Sequence, residues 1–302
     1  MVNNKKIIVT GGTGFLGKNL QKQFPNWIYL SSKDCDLKDA NQVFSLFMDE
    51  KPQAVLHLAG RVGGIKDNAE NQARFFYENT LINTNVIHEA HRANIDRVLS
   101  SLSTCAFPNT LEFYPFSEEA LFDGPPAPTN FSYGMTKRML HVASVSYRKQ
   151  YNRNYSTFSP SNIYGPHDYF ESEKSHFVPS LVSKIVKAQN GDVLEFWGSG
   201  EPKRQQMFVE DLVKIIPILL EEHNSALPII VAPHENLNIE EMIKISLKLI
   251  KKDVSIIFNN KLDGQFRKDG SNKKLLNIIK NFKFTSFEEG LLKTIKWYKD
   301  NH

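Results

Sequence analysis

Cysteine is scarce in this sequence: 2 in 302 residues, Cys35 and Cys105. They lie far apart and join no CxxC or His/Cys cluster, which excludes a disulfide framework and offers no metal-ligand spacing. Long apolar runs are also missing. The longest candidates, such as residues 215–220, are core-sized and fall well short of the roughly 18 residues a spanning helix needs. Glycine (16) and proline (14) are too few for a collagen-like chain. No charge sign dominates: 37 Lys and Arg against 33 Asp and Glu leave a net +4. Apart from Lys248, Lys251 and Lys252 the basic residues are scattered, not gathered into the stripe of a nucleic-acid binder. No repeat or low-complexity tract is visible, and a composition of 41% hydrophobic and 23% charged residues excludes disorder. Lys5 and Lys6 precede only Ile7, Ile8 and Val9 before Gly11 and Gly12, too short for a signal-peptide core. The expectation is a cytoplasmic protein whose partner is neither nucleic acid nor membrane. A small polyanionic ligand fits the charge equally well.

What is present is alternation. Short apolar runs at 6–10, 27–30, 54–58, 97–102 and 155–160 read as strands, with helical patterns to residue 24, over 73–93 and over 132–149. Residues 110–130, rich in proline and aromatics, read as a long loop. Alternation of this kind predicts right-handed βαβ units in a parallel sheet covered on both faces, an α/β, Rossmann-type doubly wound fold over 1–160. A smaller C-terminal α/β region over 161–302 follows, with helical patterns at 179–189, 211–222, 239–250 and 287–299 and short strands at 228–231 and 255–258.

Gly11-Gly12-Thr13-Gly14-Phe15-Leu16-Gly17 follows the first strand and opens a helix. Of the glycines at 11, 14 and 17, the first permits a tight turn, the second a close approach of backbone to a pyrophosphate, and the third helix–strand packing. The pyrophosphate would rest on the positive helix N-terminus. The second strand ends Leu30-Ser31-Ser32-Lys33. Ser32 and Lys33 suit the 2′-phosphate of NADP(H), whereas an acidic residue there would select NAD, and Asp34 is close enough to keep both open. Asp36 and Leu37 could reach adenine; the alternative for Asp36 is a helix N-cap.

Tyr133-Gly134-Met135-Thr136-Lys137 puts a tyrosine and a lysine four apart, on one helical face. A lysine ammonium beside the phenol would lower the phenol's pKa and let it exchange a proton with a carbonyl or hydroxyl. Ser103 follows the fourth strand, where an open α/β sheet gathers its ligands. His88 and His91, at i,i+3, lack the HExxH spacing and read as a helix face, so no metal is expected.

Glycine-rich loop, serine, then YxxxK about thirty residues later resembles the short-chain dehydrogenase/reductase superfamily, and the Gly-Gly-x-Gly-x-x-Gly form its extended sugar-nucleotide branch. His57-Leu58-Ala59-Gly60-Arg61-Val62-Gly63-Gly64-Ile65 resembles a signature of the GDP-L-fucose synthase family. So do Ser103-Thr104-Cys105, Pro128-Thr129-Asn130, Ser161-Asn162-Ile163-Tyr164-Gly165-Pro166, Ser175-His176-Phe177-Val178-Pro179, Trp197-Gly198-Ser199-Gly200 and Val209-Glu210-Asp211. The patches span residues 7 to about 211, with weaker matches near 263–276.

The resemblance implies an NADPH-dependent reductase acting at the C4 ketone of a GDP-4-keto-6-deoxy-sugar. Ser103, Tyr133 and Lys137 would be its triad, with Lys137 also holding the cofactor. Leu58, Ala59, Asn162 and Ile163 would lie beside the cofactor, and Asn162, Lys184, Trp197 and Arg204 would bind the sugar nucleotide. Cys105 and His176 would be the acid/base pair that inverts C3 and C5, giving a 3,5-epimerase as well as a reductase. A homodimer through 73–93 and 132–149 is implied too. The sequence departs from the family at Arg61, Ala106-Phe107, Ser183-Lys184, Gln205, Gln206 and Phe208. These changes are expected to crowd the sugar pocket, which suggests a related sugar such as a heptose of bacterial capsule pathways, with epimerisation reduced or absent. A 4,6-dehydratase would need an acidic pair where Thr104-Cys105 stands, a 4-epimerase would lack the Cys/His pair, and a non-catalytic NADP sensor would not need Ser103, Tyr133 and Lys137.

Overall fold

The structure is a computed structural model that describes residues 2, 5–171, 175–260, 263 and 265–302, with the side chains of Ile65 and Lys66 outside the description. The chain begins β1 (Ile7–Thr10), α1 (Phe15–Gln23), β2 (Ile28–Leu30), α2 (Ala40–Glu50), β3 (Ala54–His57), α3 (Ile65–Glu70) and α4 (Gln72–Arg92). It continues through β4 (Arg97–Ser101), α5 (Phe131–Tyr151) and β5 (Asn154–Pro160). Then come β6 (Asn162–Tyr164), α6 (Phe177–Lys187), β7 (Val193–Phe196), β8 (Lys203–Arg204), β9 (Gln206–Phe208), α7 (Val209–Glu222) and β10 (Ile229–Val231). The last elements are β11 (Leu237–Asn238), α8 (Ile239–Ile250), β12 (Ser255–Phe258), β13 (Arg267–Lys268), α9 (Lys273–Ile278) and α10 (Phe287–Asn301).

Six strands form one parallel sheet in the order β10-β5-β4-β3-β1-β2. Successive strand residues face opposite ways, so an apolar run buries on both faces only if helices cover both. Ile7 and Val9 pack with Leu56 and Leu99 against Leu20 of α1 and Leu212, Ile215 and Ile216 of α7. Ile8, Val55 and Val98 pack the other way, against Val43 and Phe47 of α2, Val86 of α4 and Leu140 of α5. The doubly wound reading of the first half therefore holds.

The strand order reverses between β1 and β3, and a crevice opens at the carboxyl ends of strands where that happens. The loop expected at 110–130 contains two short 3-10 turns, Glu118–Phe122 and Pro128–Asn130. After residue 160 the chain returns to the first sheet: β10 pairs with β5, and α7 covers a face of the sheet. The remaining elements build a separate core around Leu181 and Val182 of α6, Met242 and Ile243 of α8, and Leu291 and Ile295 of α10. Among the described residues no helix is long and apolar enough to cross a membrane.

Candidate active site

At the crevice the glycine loop is as tight as its spacing predicts. Gly11 has a left-handed φ of 71°, and a Cβ there would lie 2.9 Å from the backbone nitrogen of Ala59. At Gly17 a Cβ would meet the Gly12 carbonyl oxygen at 2.2 Å, so only glycine lets α1 settle on the loop. Gly14 caps α1 without a capping side chain, and no acidic residue sits in the first turn. That leaves a helix N-terminus whose N–H groups and dipole favour an anion. Thr13, Ser32 and Lys33 are exposed on the same rim, and Phe15 and Leu16 are half-buried.

Asp34 is turned toward Ser31. Its carboxylate accepts from the Ser31 N–H at 2.7 Å and the Ser31 hydroxyl at 2.6 Å, and these bonds hold it below the usual carboxylate range. Asp36 is not the helix N-cap. Asp39 takes that role, accepting from the N–H groups of Asn41 and Gln42. Leu37 is buried, and Leu58 and Ala59 each donate an N–H to Thr10 Oγ1 at 3.2 Å across the switch point. The residues present fit a dinucleotide with a phosphate on its adenosine ribose.

The reacting groups meet beyond β4. Ser103 caps a one-turn 3-10 helix, Thr104–Ala106, and its hydroxyl accepts from the Cys105 N–H at 3.1 Å. The same hydroxyl is within hydrogen-bonding reach of the Tyr133 phenol and the Cys105 thiol. Gly134 makes this possible: a Cβ there would lie 2.5 Å from the Cys105 carbonyl oxygen, so α5 can cross the Ser103 turn only at a glycine. Arg138, one turn on, fixes the crossing by donating to the carbonyls of Ala106 (2.6 Å) and Gly124 (2.7 Å).

One expectation fails here. Lys137 does not lower the Tyr133 pKa. Its ammonium donates to the Ser101 carbonyl at 2.8 Å and stands 5.7 Å from the Tyr133 ring centre. Burial raises the Tyr133 pKa, the Cys105 charge adds to the rise, and only the Ser103 hydrogen bond opposes it. Burial also pushes Lys137 down to about 8.

Cys105 is shifted the opposite way from Tyr133. Burial alone would raise its thiol, but Lys268, Ser103 and Arg204 outweigh burial and bring it below the usual thiol value. Lys268 Nζ donates to Cys105 Sγ at 2.9 Å. His176 opens to solvent at the cleft rim, yet burial of its ring and the nearby Lys268 charge lower its pKa, favouring neutral imidazole.

Arg204, on β8, faces Cys105. Asn162 and Ile163, both half-buried, pair with Gln206 and Met207 of β9 just past the end of β5. Lys184 donates to the Glu195 carbonyl and lies 4.6 Å from the Phe196 ring centre, which places it at the end of β7 that leads into Trp197. Trp197 is 83% exposed and so is no core residue. Two of the departures expected to crowd the sugar pocket, Gln205 and Phe208, have packing partners of their own. Gln205 is buried, donating to the carbonyls of Pro233 (2.9 Å) and Gly270 (3.1 Å), and Phe208 packs in the second core against Tyr164.

Residues 7–232 match the family model described as NAD dependent epimerase/dehydratase family. The chain belongs to that family. Among curated relatives, GDP-L-fucose synthase of Dictyostelium discoideum is 33% identical over 311 residues, covering 99% of this chain and 97% of its own length. A solved GDP-L-fucose synthetase from Naegleria fowleri bound to NADP superimposes with a TM-score of 0.91 at 32% identity, covering 100% of this chain and 94% of its own. A GDP-mannoheptose C4 reductase from Campylobacter jejuni with NADP bound, at 24% identity, TM-score 0.87 and 99% coverage of both chains, shares the fold.

For a member of the epimerase/dehydratase family, two site features escaped the sequence reading. Lys268 lies 163 positions from Cys105, in a two-residue strand with no periodicity to betray it. The Gly134 crossing was hidden because Gly134 sits inside the YxxxK span, where only Tyr133 and Lys137 carry chemistry.

Proposed function

We propose that the chain is an NADPH-dependent C4 ketoreductase of a GDP-4-keto-6-deoxy-sugar, hexose or heptose. The observation that carries this is the meeting of Ser103, Tyr133 and Lys137 past the end of β4, at the same carboxyl edge of the parallel sheet from which the Gly11–Gly17 loop leaves β1. Gly11, Thr13, Gly14, Phe15, Leu16 and Gly17 hold the cofactor diphosphate, Ser32 and Lys33 the 2′-phosphate, Asp36, Leu37, Leu58 and Ala59 the adenosine side, and Lys137, Asn162 and Ile163 the nicotinamide side. Lys184, Trp197 and Arg204 take the GDP-sugar together with Asn162. When bound, NADPH is the source of hydride for the ketone carbon. Ser103 and Tyr133 donate hydrogen bonds to the ketone oxygen, and Tyr133, kept as a phenol by burial, gives its proton to the developing alkoxide.

A second activity has its own observation in the Lys268–Cys105 contact, which favours a base able to remove protons beside the ketone. On this reading Cys105 and His176 exchange C3 and C5 protons, as in a bifunctional 3,5-epimerase/4-reductase. The protein supplies GDP-sugars for surface polysaccharide and works as a soluble cytoplasmic homodimer. The dimer face lies on α4 and α5, where Phe76, Tyr77, Met139 and Val142 stay exposed.

The test incubates the protein with GDP-4-keto-6-deoxy-mannose in D2O. NADPH oxidation with this hexose or its heptose analogue is expected, and none with either overturns the reductase. Without NADPH, deuterium should appear at C3 and C5; reduction without that exchange removes the epimerase alone.

A further inference from the structure

Lys268 is held more firmly than a surface lysine. Its strand, β13, pairs with β8 so that Lys268 lies beside Arg204. On one side the Phe266 carbonyl accepts from Lys203 N–H at 3.0 Å. On the other, Gly270 N–H donates to Gln205 Oε1 at 2.9 Å, and the Asp269 carbonyl accepts from Phe116 N–H at 3.0 Å. Arg267, its neighbour, is committed to Asp269 at 2.7 and 3.0 Å. Among the described residues no carboxylate lies within ion-pair distance of Lys268, and its hydrogen bond goes to Cys105 Sγ. An ammonium in a partly closed cleft needs a counter-charge. Here the sulfur is the group placed to supply it.

The surroundings of Cys105 agree. Arg204 faces it from β8, Tyr133 from α5 and the Ser103 hydroxyl from its own turn, while His176, ahead of α6, faces Lys268. Arg204 itself also feels Asp263. The cluster thus offers the sulfur two cations and two hydroxyl groups. A neutral imidazole is the remaining neighbour, and its own charging is opposed by Lys268.

We propose that Lys268 is the cation that keeps Cys105 ionised in the resting protein, making Lys268 a positioning residue for proton transfer at the carbons beside the ketone. This rests on the carbon-exchange reading above. In a cysteine–histidine pair, a charged imidazole usually holds the thiolate. Here the ammonium takes that part and leaves His176 neutral. The thiolate then takes a proton from carbon: the C–H bond breaks, the S–H bond forms, and the electron pair moves into the enolate on the C4 oxygen. Lys268 keeps its own protons throughout. The consequence is a base that stays ionised whether or not His176 is protonated.

The thiolate can be measured with no sugar present, so failure here is distinct from failure of the GDP-sugar reading, which NADPH oxidation decides. Cys35→Ser serves as the background, removing the second thiol. Thiolate ultraviolet absorbance and iodoacetamide alkylation, mapped to Cys105 by mass, are followed against pH, with circular dichroism confirming that each variant is folded. Lys268→Met should move the midpoint up by about two units, from below neutral pH to above it, cutting alkylation at neutral pH about 10-fold. Lys268→Arg should restore most of it, and His176→Asn should leave the midpoint nearly in place. An unmoved midpoint in a folded Lys268→Met would overturn the proposal. So would a His176→Asn shift as large as that of Lys268→Met.

Discussion

Burial and the neighbouring Cys105 both disfavour a phenolate at Tyr133, so the side chain is a proton donor before substrate arrives. A ketone reduction needs that donor. Tyr133→Phe should lower turnover by at least about 100-fold while leaving NADPH binding, followed by nucleotide fluorescence, almost unchanged. Equal turnover would remove Tyr133 from the chemistry. The pairing of Tyr133 with Lys137 was legible from their spacing. The direction of the Tyr133 shift was not, because the carbonyl of Ser101 that occupies the Lys137 ammonium comes from another element. Nucleotide choice also reduces to single residues. Asp34 is tied to Ser31, which leaves Ser32 and Lys33 on the rim. Lys33→Glu should weaken NADPH binding about 10-fold or more and barely change NADH, since a carboxylate repels only the 2′-phosphate. Equal losses for both would show that Lys33 does not meet that phosphate.

Elements reach the site through close crossings. At Gly134 the backbone of α5 runs against the Cys105 carbonyl oxygen and, at 2.8 Å from a built Cβ, against Pro126. Neither neighbour is the far end of a flexible chain, so a methyl must push the helix away. Gly134→Ala should cost about 1–3 kcal/mol of stability and reduce turnover more than 10-fold by parting Tyr133 from Ser103. A denaturation curve and a turnover number check the two halves; a wild-type turnover would show that the crossing can relax. Long elements such as α4, α5, α8 and α10 were legible because apolar periodicity runs over three or more turns. The strands β6, β8, β9, β11 and β13 have two or three residues each, too few for any period to register. Two of these hold Arg204 and Lys268, so the charged half of the site is carried by the elements least visible in sequence.

Over the whole molecule, the return of α7 and β10 to the first sheet ties the two halves together, through contacts no local pattern announces. Arg97, buried at the start of β4, donates to the carbonyls of Leu219 (2.7 Å), Leu220 (2.9 Å) and His223 (3.2 Å) at the end of α7. Three buried histidines brace the same frame. His57 bridges Thr10 of β1 and Asn83 of α4. His141 of α5 and His223, just past α7, both meet Thr157 of β5. Burial, the main cause in each, pushes His57 down to about 3 and His141 and His223 to about 4. A histidine depressed in the folded chain is neutral there while its unfolded counterpart, near 6.5, takes up a proton. Stability is therefore complete above about pH 6.5 and is lost as pH falls toward 4, by up to about 2 kcal/mol per histidine at pH 5. Three together are comparable to the whole stability of an ordinary domain. Urea unfolding should show a markedly lower midpoint at pH 5 than at pH 7, and His223→Gln, whose amide can still donate to the Thr157 carbonyl, should flatten that difference. Equal midpoints at the two pH values would mean that these histidines charge without loosening the packing around them.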